Sequence, residues 1–167
     1  MIEQESNWYA VYVKSRTEKK VALELTHNGI KNYLPMVKRL KQWSDRKKWV
    51  EEPLFRSYIF VHIDENQHYN VLQSMGVVKY ISFDGKAVPI PQAQIEAIKY
   101  YLEESDPENI NDSNWKLGKK VEVISGSMTG LLGNLVEVHG KHKVKVEIEA
   151  VGSSLIIYIP KNKLRVV

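Results

Sequence analysis

Glu52-Pro53-Leu54-Phe55-Arg56-Ser57-Tyr58-Ile59-Phe60-Val61 is the stretch on which the fold turns. A proline leads in, Arg56-Ser57 reads as a short turn, and a run of aromatic and β-branched residues follows. Such side chains pack best on a pleated surface, so a strand is predicted from Tyr58 to Ile63. Side chains alternate across a strand, which puts Tyr58 and Phe60 on one face.

Working outward, residues 7 to 102 read as one α+β domain: an antiparallel sheet flanked by helices. Trp8-Tyr9-Ala10-Val11-Tyr12-Val13 is a first strand. Ser15-Arg16-Thr17-Glu18 has the form of a capping box, with Ser15 as N-cap and Glu18 reaching back. The helix behind it aligns Val21, Ala22 and Leu25, and Asn28-Gly29 closes it. Val37 to Trp43 and Lys48 to Val50 read as a hairpin turning at Ser44-Asp45. A short helix is expected from Glu65 to Ser74, broken by Gly76, then a strand from Val77 to Phe83. Asp84-Gly85 is a turn signal. Val88-Pro89-Ile90-Pro91 leads into a helix whose Ile95, Ile98 and Leu102 have core spacing.

Residues 103 to 114 are polar, acidic and proline-containing. They bury little apolar surface and read as a flexible linker. From 115 to 167 the pattern changes to short runs rich in Val, Ile and Leu, separated by Gly126, Gly130, Gly133, Gly140 and Gly152. This argues for a small all-β barrel.

Composition bounds the chemistry. The 167 residues are 43% hydrophobic and 26% charged, as in an ordinary globular protein. No cysteine is present, so thiolate metal sites and disulfides are excluded. No apolar run approaches the roughly 20 residues that span a bilayer, and the polar start has no apolar signal core; a cytoplasmic protein is expected. The net charge of +4 is unevenly placed. Basic residues crowd 38 to 48 and acidic ones 103 to 112, which suggests one surface for polyanions.

Four motifs occur in order: the aromatic first strand, Pro53-Leu54-Phe55 followed by Tyr58-Ile59-Phe60-Val61, Gly76-Val77-Val78-Lys79-Tyr80-Ile81, and Val88-Pro89-Ile90-Pro91. Then comes Gly118-Lys119-Lys120-Val121-Glu122-Val123, with a loop bearing Gly126 and Gly130 and a strand begun at Gly133. Together they resemble the NusG family of transcription elongation factors, an NGN domain followed by a KOW domain, over residues 8 to 165. The resemblance is nearest the specialised branch that includes RfaH and the UpxY capsule-locus regulators. General family members have Pro-Gly before the tyrosine and RfaH has Pro-Asn; here Arg56-Ser57 stands there.

The resemblance implies a non-catalytic factor, without cofactor, that binds RNA polymerase at the clamp helices of its largest subunit. It carries the docking patch onto Tyr12, Phe55, Tyr58 and Phe60. Aromatics suit such a patch because each gives large contact area with few rotamers to freeze. Ordinary sheet-core residues would give the same pattern. The resemblance also implies a partner for the KOW domain, a small-subunit ribosomal protein or Rho, and a monomer away from membranes. RfaH folds its C-terminal domain as a helical hairpin; here Lys143 to Glu149 alternates with period two and Leu155 to Ile159 is β-branched, so a β domain is expected.

Two basic groups are candidates for non-template DNA or nascent RNA. One is Lys38, Arg39, Lys41, Arg46, Lys47 and Lys48 on the hairpin with Trp43 and Trp49, since cations neutralise phosphate and an exposed Trp stacks on a base. The other is Lys14, Arg16, Thr17 and Lys20, a surface that reads the displaced non-template strand in RfaH-like relatives. Met75 and Glu24 stand where such a relative has Arg and His, so the resemblance does not extend to the same DNA element. A solvated hairpin is the bland alternative, and an RNA-binding KOW module of translation or ribosome assembly the functional one. Enzymatic readings find no support: His139 and His142 sit in an expected turn, and the Gly126-Ser127-Met128-Thr129-Gly130 segment centres on Met128, not a nucleophile.

Overall fold

The computed structural model describes residues 4–103, 118–139, 143–150 and 153–167. Two compact units divide the chain between Ile90 and Pro91.

In the first unit, β1 (Asn7–Val13), β2 (Lys31–Tyr33), β5 (Tyr58–Ile63) and β6 (Val77–Tyr80) form an antiparallel sheet in the order β2-β5-β1-β6. Helices α1 (Glu18–His27) and α2 (His68–Gln73) supply Val21, Leu25 and Val71 to its core, against Tyr9, Val11, Val13, Ile59, Val61 and Ile63. These strand residues alternate with the aromatic set discussed below, so one face of the sheet is mostly aliphatic, with Tyr9 and Tyr80 among its residues, and the other carries the aromatic row. Between β2 and β5 the chain makes a separate two-stranded ribbon, β3 (Met36–Gln42) and β4 (Lys47–Pro53).

Most local signals act as read, and two do not. The capping box does not form: α1 begins at Glu18 with Thr17 as N-cap and no side-chain cap bond. The Thr17 hydroxyl donates instead to Lys14 O at 2.6 Å, and Arg16 takes the left-handed conformation at φ 65°. Glu18 is called away by a tertiary partner, described below. The strand expected from Val77 to Phe83 is interrupted after Tyr80, and β7 (Ser82–Phe83) turns through Asp84-Gly85 into β8 (Lys86–Ala87). Both turn residues have positive φ, 52° and 77°, the twist a two-residue hairpin needs. Gly76 has φ 93°, and a Cβ there would lie 2.8 Å from Val21 Cγ2, so only glycine lets this strand approach α1.

The second unit is a five-stranded antiparallel sheet of β9 (Lys120–Val123), β10 (Leu132–His139), β11 (Lys143–Ala150), β12 (Ser153–Pro160) and β13 (Leu164–Val166), in the order β12-β11-β10-β9-β13. Both segments expected as strands rather than helices, within β11 and β12, are strands. The core gathers Val121, Val123, Met128, Leu131, Leu135, Ile157, Ile159 and Leu164.

Helix α3 (Gln92–Glu103) corrects the expected boundary at 102. Its Ala97 belongs to this second core, with Ala93, Tyr100 and Tyr101 packed against it. Those four positions form a stripe at i, i+4, i+7 and i+8, distinct from the Ile95, Ile98 and Leu102 stripe that drew the sequence reading. Beyond Glu103 the expected linker, like Gly140, Gly152 and His142, lies outside the described residues.

Candidate functional site

The aromatic face is assembled by register. Antiparallel pairing sets Tyr12 opposite Tyr58, Ala10 opposite Phe60 and Trp8 opposite His62, and β2 sets Tyr33 opposite Phe60. The Tyr12 and Tyr58 rings meet near edge-on with centroids 5.6 Å apart. Phe55 meets Phe60 edge-on at 6.0 Å, and Tyr33 stacks on Phe60 at 6.4 Å. Such pairs lock one another's rotamers and hold a surface ready-made. Tyr12, Phe55 and Tyr58 are half-buried, whereas Phe60 is 0% exposed. Phe60 is thus a fully buried member of the row, and its ring packs against Phe55 and Tyr33. Tyr33 was missed by the sequence reading because only the pairing of β2 with β5 brings it here. At the far end of the row His62 packs 5.0 Å from Trp8, and Lys31 Nζ lies 5.7 Å from the Trp8 ring. Burial first, and then the Lys31 charge, lower the His62 pKa and favour neutral imidazole.

The turn before Tyr58 is held from a distance. Ser57 has φ 65°, a conformation that costs a residue with a Cβ about 1–2 kcal/mol. Its N–H donates to Glu18 Oε1 at 3.0 Å, and its carbonyl accepts from Val13 N at 2.8 Å. Glu18 is buried, at 7% exposure, on the first turn of α1, where the helix dipole favours its charge. One carboxylate thus joins α1 to the turn that sets Phe55 and Tyr58. Arg56 at the same turn is exposed beside the patch.

The basic residues fall in two places. Lys14, Arg16 and Lys20 are exposed around the start of α1, next to exposed Met75; Lys14 N donates to Gly76 O at 2.8 Å, which ties this loop to β6. Thr17 donates its hydroxyl to Lys14 O, which helps hold the start of α1. On the ribbon, Lys38, Arg39, Arg46, Lys47 and Lys48 are exposed and Lys41 half-buried. Glu52 accepts from Lys41 Nζ at 2.6 Å and pairs with Arg39 Nε at 3.0 Å. The Lys41 hydrogen bond, with the charges of Lys41, Arg39 and Arg56, holds Glu52 below the ordinary carboxylate range.

In the second unit Gly126 and Gly130 take positive φ, 88° and 92°, and turn the loop between β9 and β10. Gly133 lies in β10 opposite Val121 instead. Met128, at the middle of that loop, is buried in the core, so the segment anchors the sheet. Among the described residues no group of three or more His, Asp or Glu is placed to hold a metal ion. No described helix is long and apolar enough to cross a membrane.

Residues 6–99 match the family model described as NusG, transcription termination factor nusG. The transcription termination/antitermination proteins NusG of Streptococcus pyogenes serotypes M3 and M1 are 25% identical over 166 residues, covering 91% of this chain and 91% of each relative. A structure described as domain interaction in Thermotoga maritima NusG has the same fold at a TM-score of 0.54, with 23% identity over 98% of both chains.

Proposed function

This chain belongs to the NusG family of transcription termination and antitermination factors, and from that premise we propose that Tyr12, Phe55 and Tyr58 dock it on the clamp helices of RNA polymerase. The observation that carries the proposal is the Tyr12–Tyr58 edge-on pair, half-exposed beside a Phe55 braced by buried Phe60. A row of mutually packed rings is preorganised, so little rotamer freedom is lost on binding. Bound across the closed clamp, the factor favours that state over the open one and so shortens pauses and resists termination; the shift cannot exceed its differential affinity for the two states.

The second unit acts in this reading as a KOW module, a small barrel that recruits a further partner such as a small-subunit ribosomal protein or Rho. The exposed cations at 14 to 20 and on the β3–β4 ribbon meet nucleic acid near the polymerase. The Arg56-Ser57 turn, held by Glu18 where other family members place Gly or Asn, supports a specialised paralogue that acts on a subset of operons in the cytoplasm, surface polysaccharide loci among them. The chain works as a monomer and catalyses no reaction of its own.

The test is elongation by purified RNA polymerase on a template with a strong pause. The full chain should shorten the pause, and Tyr58→Ala should abolish that effect while remaining folded at the assay temperature. An unchanged pause with wild-type protein at saturating concentration contradicts the proposal.

A further inference from the structure

The aromatic row carries charge only at its margins, and the charge there is positive. Side chains directly opposite on an antiparallel pair share a face, with Cβ atoms about 4.5–5.5 Å apart. Pairing of β1 with β6 sets Lys79 opposite Tyr12, which is itself opposite Tyr58. Exposed Lys79 therefore leaves the sheet on the same side as the two tyrosines, one strand further out. At the far end, pairing of β2 with β5 sets Lys31 opposite His62. The four strands of this sheet hold these two lysines and no carboxylate.

Arg56 adds a cation where β5 begins. Phe55 to Tyr58 is a turn closed by Tyr58 N, which donates to Phe55 O at 3.4 Å, with positive φ at Ser57 and not at Arg56. That is the type II arrangement, with Arg56 and Ser57 as its two central residues. Arg56 is exposed there, and Glu18, by holding Ser57, holds the turn that carries it. Neither Arg56 nor Lys79 is ion-paired among the described residues. Glu52 feels the Arg56 charge but is already engaged by Lys41 and Arg39. Lys31 lies over the Trp8 ring, which leaves Arg56 and Lys79 as the two cations free beside the tyrosine pair. Lys79 is rooted two strand spacings from Tyr58, about 10 Å. A helix is about 10–12 Å across, so one seated on the tyrosines brings its flanks within reach of both long side chains.

We infer that Arg56 and Lys79 are specificity-determining contacts of the docking face, and that the polymerase helix seated on Tyr12 and Tyr58 carries carboxylates beside its apolar stripe to meet them. This rests on the reading of the row as the polymerase-docking surface. An apolar centre with a polar rim is the usual anatomy of an interface. The rings supply contact area, while the rim charges raise the encounter rate and reject a helix whose flanks are cationic.

Binding of the full chain to a folded clamp-helix fragment, measured from about 50 to about 500 mM salt, tests it. Arg56→Gln/Lys79→Gln should raise Kd about three- to tenfold at the lower salt, with the loss in the association rate, and Arg56→Glu/Lys79→Glu should raise it further. Raising the salt should weaken the wild type and leave the glutamine variant nearly unchanged. A fragment with the carboxylates beside its apolar stripe changed to amides should bind wild type as weakly as the glutamine variant binds the native fragment, and combining the two changes should add little. Wild-type binding that is lost in Tyr58→Ala but is indifferent to salt, or is kept within twofold by the folded glutamate variant, leaves docking standing and overturns this inference. No binding by wild type, or full binding by folded Tyr58→Ala, overturns the docking reading and this inference with it.

Discussion

The aromatic row of the sheet and the aromatic ribbon at β3–β4 are built in opposite ways. In the row, Tyr12, Tyr58, Phe55 and Tyr33 lean on one another and on Phe60, and the surface they leave is fixed by the core beneath it. On the ribbon, Trp43 and Trp49 stand more than half exposed among lysines and arginines, and charge decides what approaches. The first surface suits a shaped apolar partner and the second a flexible polyanion. The lesson is that aromatic content alone names neither partner: what separates the two is whether the rings rest on a buried brace or on a ring of cations.

Removing the brace should break the contrast most. Phe60→Ala empties a fully buried site and should cost about 3–5 kcal/mol of stability, seen by chemical denaturation. The equivalent change at Trp49 should stay within about 0.5 kcal/mol, as exposed substitutions do. A second, smaller effect tests the brace from the other side of the sheet. Glu18→Gln leaves the α1 register intact but exchanges a charge-assisted bond to Ser57 N for a neutral one, and should cost about 1–1.5 kcal/mol, the difference between the two kinds of bond. If Glu18 merely fills space, the glutamine will be neutral.

That bond also marks where sequence stopped being informative. Strand β1, helix α1, the β3–β4 hairpin and the Asp84-Gly85 turn were legible because each rests on neighbours in the chain, through periodicity or the φ its residues tolerate. Glu18 looked like a helix cap because a cap is local; its real partner is 39 residues away. Phe60 looked like a surface residue because strand alternation gives the face but not the depth. Tyr33 was invisible because only the pairing of β2 with β5 brings it to the row. In α3 two apolar stripes share one helix, and nothing local told that Ala93, Ala97, Tyr100 and Tyr101 pack on the second core.

Ser57→Gly should sharpen the account of the turn with a smaller effect of opposite sign. Glycine relieves the positive φ at 57 but adds unfolded-state entropy, so a net gain of up to about 1 kcal/mol is expected in thermal unfolding. The smallest effect separates the two surfaces by pH. Glu52 is held below its ordinary value of 4.5 by Lys41 and its neighbours. A depressed carboxylate contributes above its unfolded pKa and loses that contribution as pH falls through the folded one. Indole resonances of Trp43 and Trp49 should therefore shift only well below pH 4.5 as the ribbon network loosens, while the Tyr12 and Tyr58 resonances hold still.

The central claim is that the sheet row, and not the ribbon, grips the polymerase. The most direct measurement is the affinity of the full chain for a folded clamp-helix fragment, with wild type, Tyr58→Ala and Trp49→Ala side by side. Tyr58→Ala should weaken binding at least about tenfold, as a central aromatic contact does, and Trp49→Ala should leave it within about twofold. A folded Tyr58→Ala that binds as wild type does, or a Trp49→Ala that loses as much as Tyr58→Ala, would contradict the account.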